Sequence, residues 1–347
     1  MVKNALKFTS RLLNCLSWLA FSNKHKPDKI GRVLIVNLGF IGDVIAITPL
    51  IEVLSRKYAV DMAVSMAGKE ILQHSKAKNI VVYSEKDFLK EISGKYDASI
   101  MIYPNSGKIA NDLIKAGIKF RISSMPSSPM LRYTTKFSRI TPKFTENNHK
   151  VIQNLEYAKY FEINLGQISP KSNPMILKLT KNEISMTKGK FKLKDFVIMS
   201  PGSRSQIKMG VKLPETSKFS AVADYLIERY HKKVILTGSK SEFSLCEEIR
   251  KNSKHSKQII NLAGKTTIRE LACLTKLSSL VIGVDSGTIH IAASQNAKII
   301  DLIRNSQKKI WYPWTNPANY RLLVSKDKSL NRVSVEDIKK AINELLT

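Results

Sequence analysis

From Arg32 onward the chain repeats one phrase: a short run rich in Val and Ile, a turn of small or polar residues, then a stretch with helical spacing. Alternation of such runs with helices predicts a parallel sheet covered by helices, an α/β fold. Val33–Val36 is the first strand, followed by a Gly-bearing turn and a helix expected from about Val44 to Lys57. Val60–Ser65, Ile80–Tyr83 and Ala98–Tyr103 continue the series. The phrase lapses between Gly117 and Asn148, where Ser, Thr, Pro and basic residues show neither strand nor helix periodicity. A helix around His149–Phe161 and a linker over Leu165–Pro174 follow. The phrase then restarts, with strands expected at Phe196–Ser200, Val234–Thr237, Ile259–Asn261, Leu280–Gly283 and Lys298–Leu302. Helices are expected at Thr216–Tyr230, Glu242–Lys251, Thr267–Lys276 and Ile289–Ser294. Ser334 and Asp337 make a capping box for a last helix ending at Leu346. Two tandem Rossmann-like units are expected, over residues 30–170 and 171–347.

Residues 1–29 read as a separate piece. Val2, Leu6, Leu12, Leu13, Leu16 and Leu19 share one face of a helical wheel, while Lys3, Lys7 and Arg11 take the other. A basic amphipathic helix of this kind suits an anionic membrane surface. Packing on the body of the protein and an export signal are the competing readings, but Asn14 and Ser17 interrupt the apolar run and no A-x-A site follows it. No apolar run reaches the ~20 residues of a spanning helix. Charge points the same way: 57 Lys+Arg against 28 Asp+Glu give a net +29, a surface that attracts polyanions. Residues 101–150 alone hold nine basic residues against two acids. The three cysteines, Cys15, Cys246 and Cys273, have no paired spacing, so neither a disulfide framework nor a cysteine-ligated zinc is expected, and a cytoplasmic setting is the default. The six histidines lack metal-ligand spacing, and all but His290 read as surface residues.

Open parallel sheets bind ligands at the carboxyl ends of their strands, so the chemistry should sit in the loops there. After the first strand comes Asn37-Leu38-Gly39-Phe40-Ile41-Gly42-Asp43. Gly39 and Gly42 allow close approach to a ligand. Asp43 either caps the helix that follows or serves as a general base toward a hydroxyl. In the second unit Ser200-Pro201-Gly202-Ser203-Arg204 leaves one strand, with Lys208 and Lys212 close behind, and Thr237–Glu242 leaves the next. Gly283-Val284-Asp285-Ser286-Gly287-Thr288-Ile289-His290 leaves a third and enters a helix. Amides and hydroxyls of Ser286, Gly287 and Thr288 at a helix start suit an anion, and the loops together favour a diphosphate-bearing ligand.

Taken together, I-G-D-V at Ile41–Val44, P-G-S at Pro201–Ser203 and V-D-S-G-x-x-H at Val284–His290 resemble glycosyltransferase family 9, whose members include lipopolysaccharide core heptosyltransferases. The resemblance covers about residues 31–300. It implies the GT-B architecture, two Rossmann-like domains facing across a cleft, with the first taking the acceptor and the second the nucleotide-sugar donor. It also implies inverting, metal-independent transfer from a nucleoside-diphosphate sugar, ADP-heptose for the heptosyltransferases, to a membrane glycolipid, with no cofactor. Asp43 matches the general base. Asp285, Ser286, Gly287, Thr288 and His290 match the donor diphosphate and sugar region, Ser203 lies in the matching P-G-S loop, and Glu242 matches the acid near the nucleoside. Lys208 or Lys212 matches the phosphate-binding lysine. Asn37 stands where the family often has Lys or Arg, and Lys308–Arg321, with Trp311, Trp314 and Tyr320, departs from the usual Gly-Pro-Thr-Asp-Pro stretch. The expected place of work is peripheral, on the inner face of the cytoplasmic membrane, with an anionic glycolipid as partner. Two rivals are a non-catalytic polyanion- or nucleic-acid-binding protein and a nucleotide-sugar epimerase. The chain carries no recognised nucleic-acid-binding motif, so no specific nucleic acid is expected.

Overall fold

The computed structural model describes residues 26–103, 106–124, 139–141, 147–326 and 328–347. The amphipathic helix expected before residue 26 lies outside them, as does much of the basic stretch between 104 and 146. The chain divides into two compact units. The first holds residues up to Val44, Leu50–Thr145 and Gln153–Leu165; the second holds Ile45–Pro49, Glu146–Ile152 and Gly166–Thr347.

The first unit is a parallel sheet of β1 (Arg32–Asn37), β2 (Ala59–Val64), β3 (Asn79–Val82), β4 (Ala98–Tyr103), β5 (Phe120–Ser124) and β6 (Arg139–Thr141), in the order β3-β2-β1-β4-β5-β6. Its helices are α1 (Ile41–Ala46), α2 (Thr48–Leu54), α3 (Met66–Leu72), α4 (Phe88–Ile92) and α5 (Gly107–Lys115). Helix α6 (Lys150–Leu155) continues as a 3-10 turn over Glu156–Phe161. The single helix expected over Val44–Lys57 is instead broken at Ile47. Pro49 lacks the N–H that an unbroken helix would direct to the carbonyl of Ile45, and the Thr48 hydroxyl donates to that carbonyl at 2.7 Å in its place. Strands β5 and β6 correct the expectation of a structureless 117–148 stretch. Both are short and lie toward one side of the sheet, so backbone pairing carries them where the apolar pattern is weak.

The second unit repeats the plan with β7 (Phe196–Ser200), β8 (Lys233–Leu236), β9 (Ile259–Asn261), β10 (Val281–Val284), β11 (Ile299–Arg304) and β12 (Tyr320–Ser325), ordered β12-β11-β10-β7-β8-β9 and parallel throughout. Helices α7 (Lys181–Phe191), α8 (Arg204–Lys208), α9 (Thr216–Tyr230), α10 (Phe243–Asn252), α11 (Ile268–Leu277), α12 (Gly287–Ser294), α13 (Lys308–Trp311) and α14 (Val335–Leu346) accompany it. One face of the sheet buries Val197, Met199, Ile282, Ile300 and Leu302 against Phe219, Leu226 and Ile342. The Ser334–Asp337 capping box opens α14 as expected. His149 corrects the surface assignment. It is buried, stacked on Trp314 with ring centroids 4.6 Å apart, and its Nδ1 accepts from the Val151 N–H at 3.1 Å. Burial pushes its pKa down to about 3, so the ring stays neutral and its Nε2–H donates to the Tyr312 carbonyl at 3.0 Å.

In each sheet the chain starts at a central strand, builds out to one side, and crosses back to the other. The loops after β1 and β4, and after β7 and β10, therefore part in opposite directions. A crevice opens at such a switch point, at the carboxyl ends of the strands.

Candidate functional site

At the switch point of the second unit the loops after β7, β8, β10 and β11 meet. The Ser203 hydroxyl is buried and donates to the Asp285 carbonyl at 2.9 Å, tying the loop after β7 to the loop after β10. The Ser200 hydroxyl donates to Thr288 Oγ1 at 3.1 Å, a second tie between the same loops. Gly202 is required by its neighbour, because a Cβ there would meet the Glu242 carboxylate. The loop after β8 is closed by Glu242 itself: its Oε2 accepts from the Ser239 N–H at 2.6 Å and from the Ser239 hydroxyl at 2.7 Å. One carboxylate oxygen of Glu242 is thus spent on a capping box, and the other faces Gly202.

Asp285 is the hub. Its carbonyl takes Ser203, its Oδ2 accepts from Gln206 Nε2 at 2.7 Å, and its Oδ1 lies 3.6 Å from His290 Nε2. Ser286 is the N-cap of α12, yet its hydroxyl makes no capping bond and, among the described residues, is buried without a partner. Nothing among the described residues accepts from the first amides of α12, those of Gly287 and Thr288. Orphan amides at the positive end of a helix, beside an idle hydroxyl, can receive an anion. The indole of Trp311, from the loop after β11, leans on His290 with centroids 5.3 Å apart.

Sequence reasoning missed two members of this group. Gln206 bridges Asp285 to Arg304, whose Nε donates to Gln206 Oε1 at 3.1 Å. Neither lies in a recognised motif: Arg304 ends an apolar strand and Gln206 follows a turn. Lys208 and Lys212 are both exposed, and among the described residues no hydrogen bond or ion pair joins their side chains to the Asp285 network. The Lys212 backbone is committed elsewhere, pairing with Lys328 and Leu330.

At the carboxyl edge of the first unit, Asp43 occupies the third position of α1, not its N-cap. Its Oδ2 accepts from the Phe40 N–H at 3.0 Å, so capping is performed from inside the first turn. A Cβ on Gly39 would come within 2.7–2.9 Å of the Asp43 side chain, which explains the glycine. Gly42, inside α1, is buried. Asn37 orders the same turn, accepting from the Gly39 N–H at 3.0 Å and donating to the Asp43 carbonyl at 3.1 Å. Phe40, Met66 and Tyr103 stand exposed around this turn, at the carboxyl ends of β1, β2 and β4.

The family model of glycosyltransferase family 9 (heptosyltransferase) matches residues 87–341, most of the chain. The chain belongs to glycosyltransferase family 9. Among curated proteins, lipopolysaccharide heptosyltransferase 3 of Escherichia coli is 30% identical over 165 residues, which is 44% of this chain and 47% of that protein. The chain thus spans about half the length of the curated relative it matches. Among solved structures, E. coli ADP-heptose lps heptosyltransferase II superposes with a TM-score of 0.74 at 20% identity, covering 91% of this chain and 98% of that one. E. coli heptosyltransferase WaaC with ADP gives 0.71 at 15% identity over 90% and 99%. At such identities the likeness speaks for the fold, and it spans both sheets: the GT-B fold, built from two Rossmann-like units.

Proposed function

We propose that the protein is an inverting, metal-independent glycosyltransferase that moves a sugar, heptose from ADP-heptose, to a lipopolysaccharide core or related membrane glycolipid. The observation that carries this reading is the convergence of Ser203, Gln206, His290 and the open amides of α12 on Asp285, in a chain of family 9. The named relatives support the sugar, and the neighbour solved with ADP supports the nucleotide. Residues 171–347 serve the donor and 30–170 the acceptor.

Inverting transfer asks for two things: a base to take the acceptor hydroxyl's proton and stabilisation of the departing diphosphate. Asp43 is the base. Its Oδ2 is oriented by the Phe40 amide, and the carboxylate is only partly buried, so it can meet a hydroxyl. The amides of Gly287 and Thr288 and the Ser286 hydroxyl receive charge that grows on the diphosphate. The chain has no Asp-x-Asp motif of the kind that ligates a metal for this purpose. Asp285 and His290 face the sugar, and the free oxygen of Glu242 faces the nucleoside. The acceptor is anionic, in keeping with the +29 charge. The protein works peripherally on the inner face of the cytoplasmic membrane.

The test follows release of nucleoside diphosphate from a panel of nucleotide sugars, with and without a truncated core glycolipid. Release should require the acceptor. Asp43→Asn should lower kcat by ~10²–10⁴-fold, the span of a lost general base, with nucleotide affinity unchanged. Acceptor-dependent release at the wild-type rate in Asp43→Asn removes Asp43 from the chemistry.

A further inference from the structure

Arg304 carries its guanidinium into the interior of the second unit and meets no acid there. The residue is 7% exposed, and among the described residues no carboxylate lies within ion-pairing distance of it. Among the described residues its polar contacts are two: Nε to Gln206 Oε1 at 3.1 Å and Nη2 to the Met209 sulfur at 3.7 Å. A thioether is a weak acceptor, so one full hydrogen bond serves a group with five donors. Burying a cation so poorly satisfied is costly, and folds that retain such a group ordinarily pair it. Its remaining N–H groups are not among the sealed, unpartnered atoms of the interior, so a molecule from outside the chain can reach them.

Position says which molecule. Arg304 is the last residue of β11, and β11 pairs in parallel with β10, the strand that delivers Asp285 and the α12 amides. Gln206 can satisfy both neighbours in only one orientation, with its carbonyl oxygen toward Arg304 and its amide nitrogen toward Asp285 Oδ2 at 2.7 Å. The guanidinium is thereby fixed to the donor loop through a neutral bridge, with the Asp285 carboxylate at the far end of that bridge and not in direct contact with it. We propose that Arg304, held by Gln206, is the cation that grips the donor's diphosphate, in place of Lys208 or Lys212. A planar guanidinium offers two parallel N–H groups to phosphate oxygens, and its Nη atoms are the ones left over here. Both lysines are exposed and unconnected to the Asp285 network, so neither is held ready in the same way. This inference rests on the second unit being the donor domain.

Calorimetric titration of the full chain with ADP, inorganic pyrophosphate and adenosine separates the two ideas. Arg304→Gln should weaken ADP and pyrophosphate at least tenfold and leave adenosine within twofold. Arg304→Lys should recover part of the loss, and Gln206→Leu, which releases the guanidinium from its tether, should show an intermediate loss. Lys208→Gln and Lys212→Gln should change ADP affinity less than Arg304→Gln does. Thermal melts of each variant identify any that fail to fold, and Gln206→Leu then carries the comparison. Wild-type binding of ADP that survives unchanged in Arg304→Gln overturns the assignment, as does a larger loss in either lysine variant. If the wild type binds neither ADP nor pyrophosphate, it is the donor-domain reading that falls.

Discussion

Asp301 brings a carboxyl into the interior of the second unit and gives it nothing to bond. The side chain is fully buried, and neither oxygen has a partner among the described residues. Burial, reinforced by the charge of Asp285, holds its pKa well above the usual carboxylate range. The folded protein therefore keeps a proton there at pH values where the unfolded chain has lost it. With more protons bound in the native state, stability must fall as pH rises above the ordinary carboxylate pKa and toward the folded one. Asp301→Asn keeps the shape and removes the titration. Urea denaturation at pH 5, 6, 7 and 8 should show the wild type losing stability along the series while the variant stays flatter. At pH 8 the variant should lead, because it has no carboxyl proton to lose to the solvent as the pH rises. Parallel curves for the two proteins would mean that Asp301 is charged and paired. Residues of this sort are poorly legible in sequence. Asp43, Asp285 and His290 announce themselves because they sit in, or within one turn after, a strand-to-helix junction. Asp301 and Arg304 lie in the apolar run Ile299–Arg304, and their roles emerge only once β11 is set beside β10.

At the scale of elements, legibility follows the strength of the repeat. Ala98–Tyr103, Phe196–Ser200 and Thr216–Tyr230 were each readable to the residue, because buried strands and a long amphipathic helix impose their pattern on every position. Helix α7 was not, since Thr187 is its one buried residue and a capping box from Thr180 to Glu183 sets its start. The stretch from Lys308 to Asn319 was also opaque, because rings rather than periodicity hold it in place. Trp314 is the anchor: its indole is buried, its Nε1–H donates to the Asn173 carbonyl at 2.8 Å, and it lies flat on His149. Tyr312 packs on the other side of the cluster, 4.5 Å from the His149 ring. Trp314→Ala removes the ring, leaves a cavity and frees the Asn173 carbonyl. A loss of about 3–5 kcal/mol is expected for such a truncation, measured as a lower urea midpoint of the second unit's transition. The same variant should weaken donor binding, because the Lys308–Asn319 segment carries Trp311 against His290. An unchanged midpoint would show that the aromatic cluster contributes little to holding this segment.

For the whole molecule, the two-unit α/β plan was the most legible feature, because a twice-repeated strand–helix phrase leaves few other ways to bury so many Val and Ile side chains. The proposed relation to a membrane rests on another part of the chain. Among the described residues no helix is long and apolar enough to cross a bilayer. On a helical wheel the sequence before residue 26 would set Leu6, Leu13 and Leu16 opposite Lys3, Lys7 and Arg11, the pattern on which the proposed peripheral attachment rests. A basic side chain close to an anionic leaflet contributes ~1 kcal/mol, so three of them amount to roughly a hundredfold in partitioning before the apolar face is counted. Removing residues 1–22 leaves β1, which begins at Arg32, and the Lys26–Glu162 ion pair intact, so the two units should fold as before. The truncated protein should move from the membrane fraction to the soluble one and lose most of its binding to vesicles containing anionic lipid. Full-length binding should weaken as salt rises, since exposed charges are screened beyond ~8 Å at physiological ionic strength. Nucleotide affinity, which we propose for the second unit, should be equal in the two forms. If the truncated chain still sediments with membranes, attachment belongs to the basic surface of the folded units and not to the N-terminal segment.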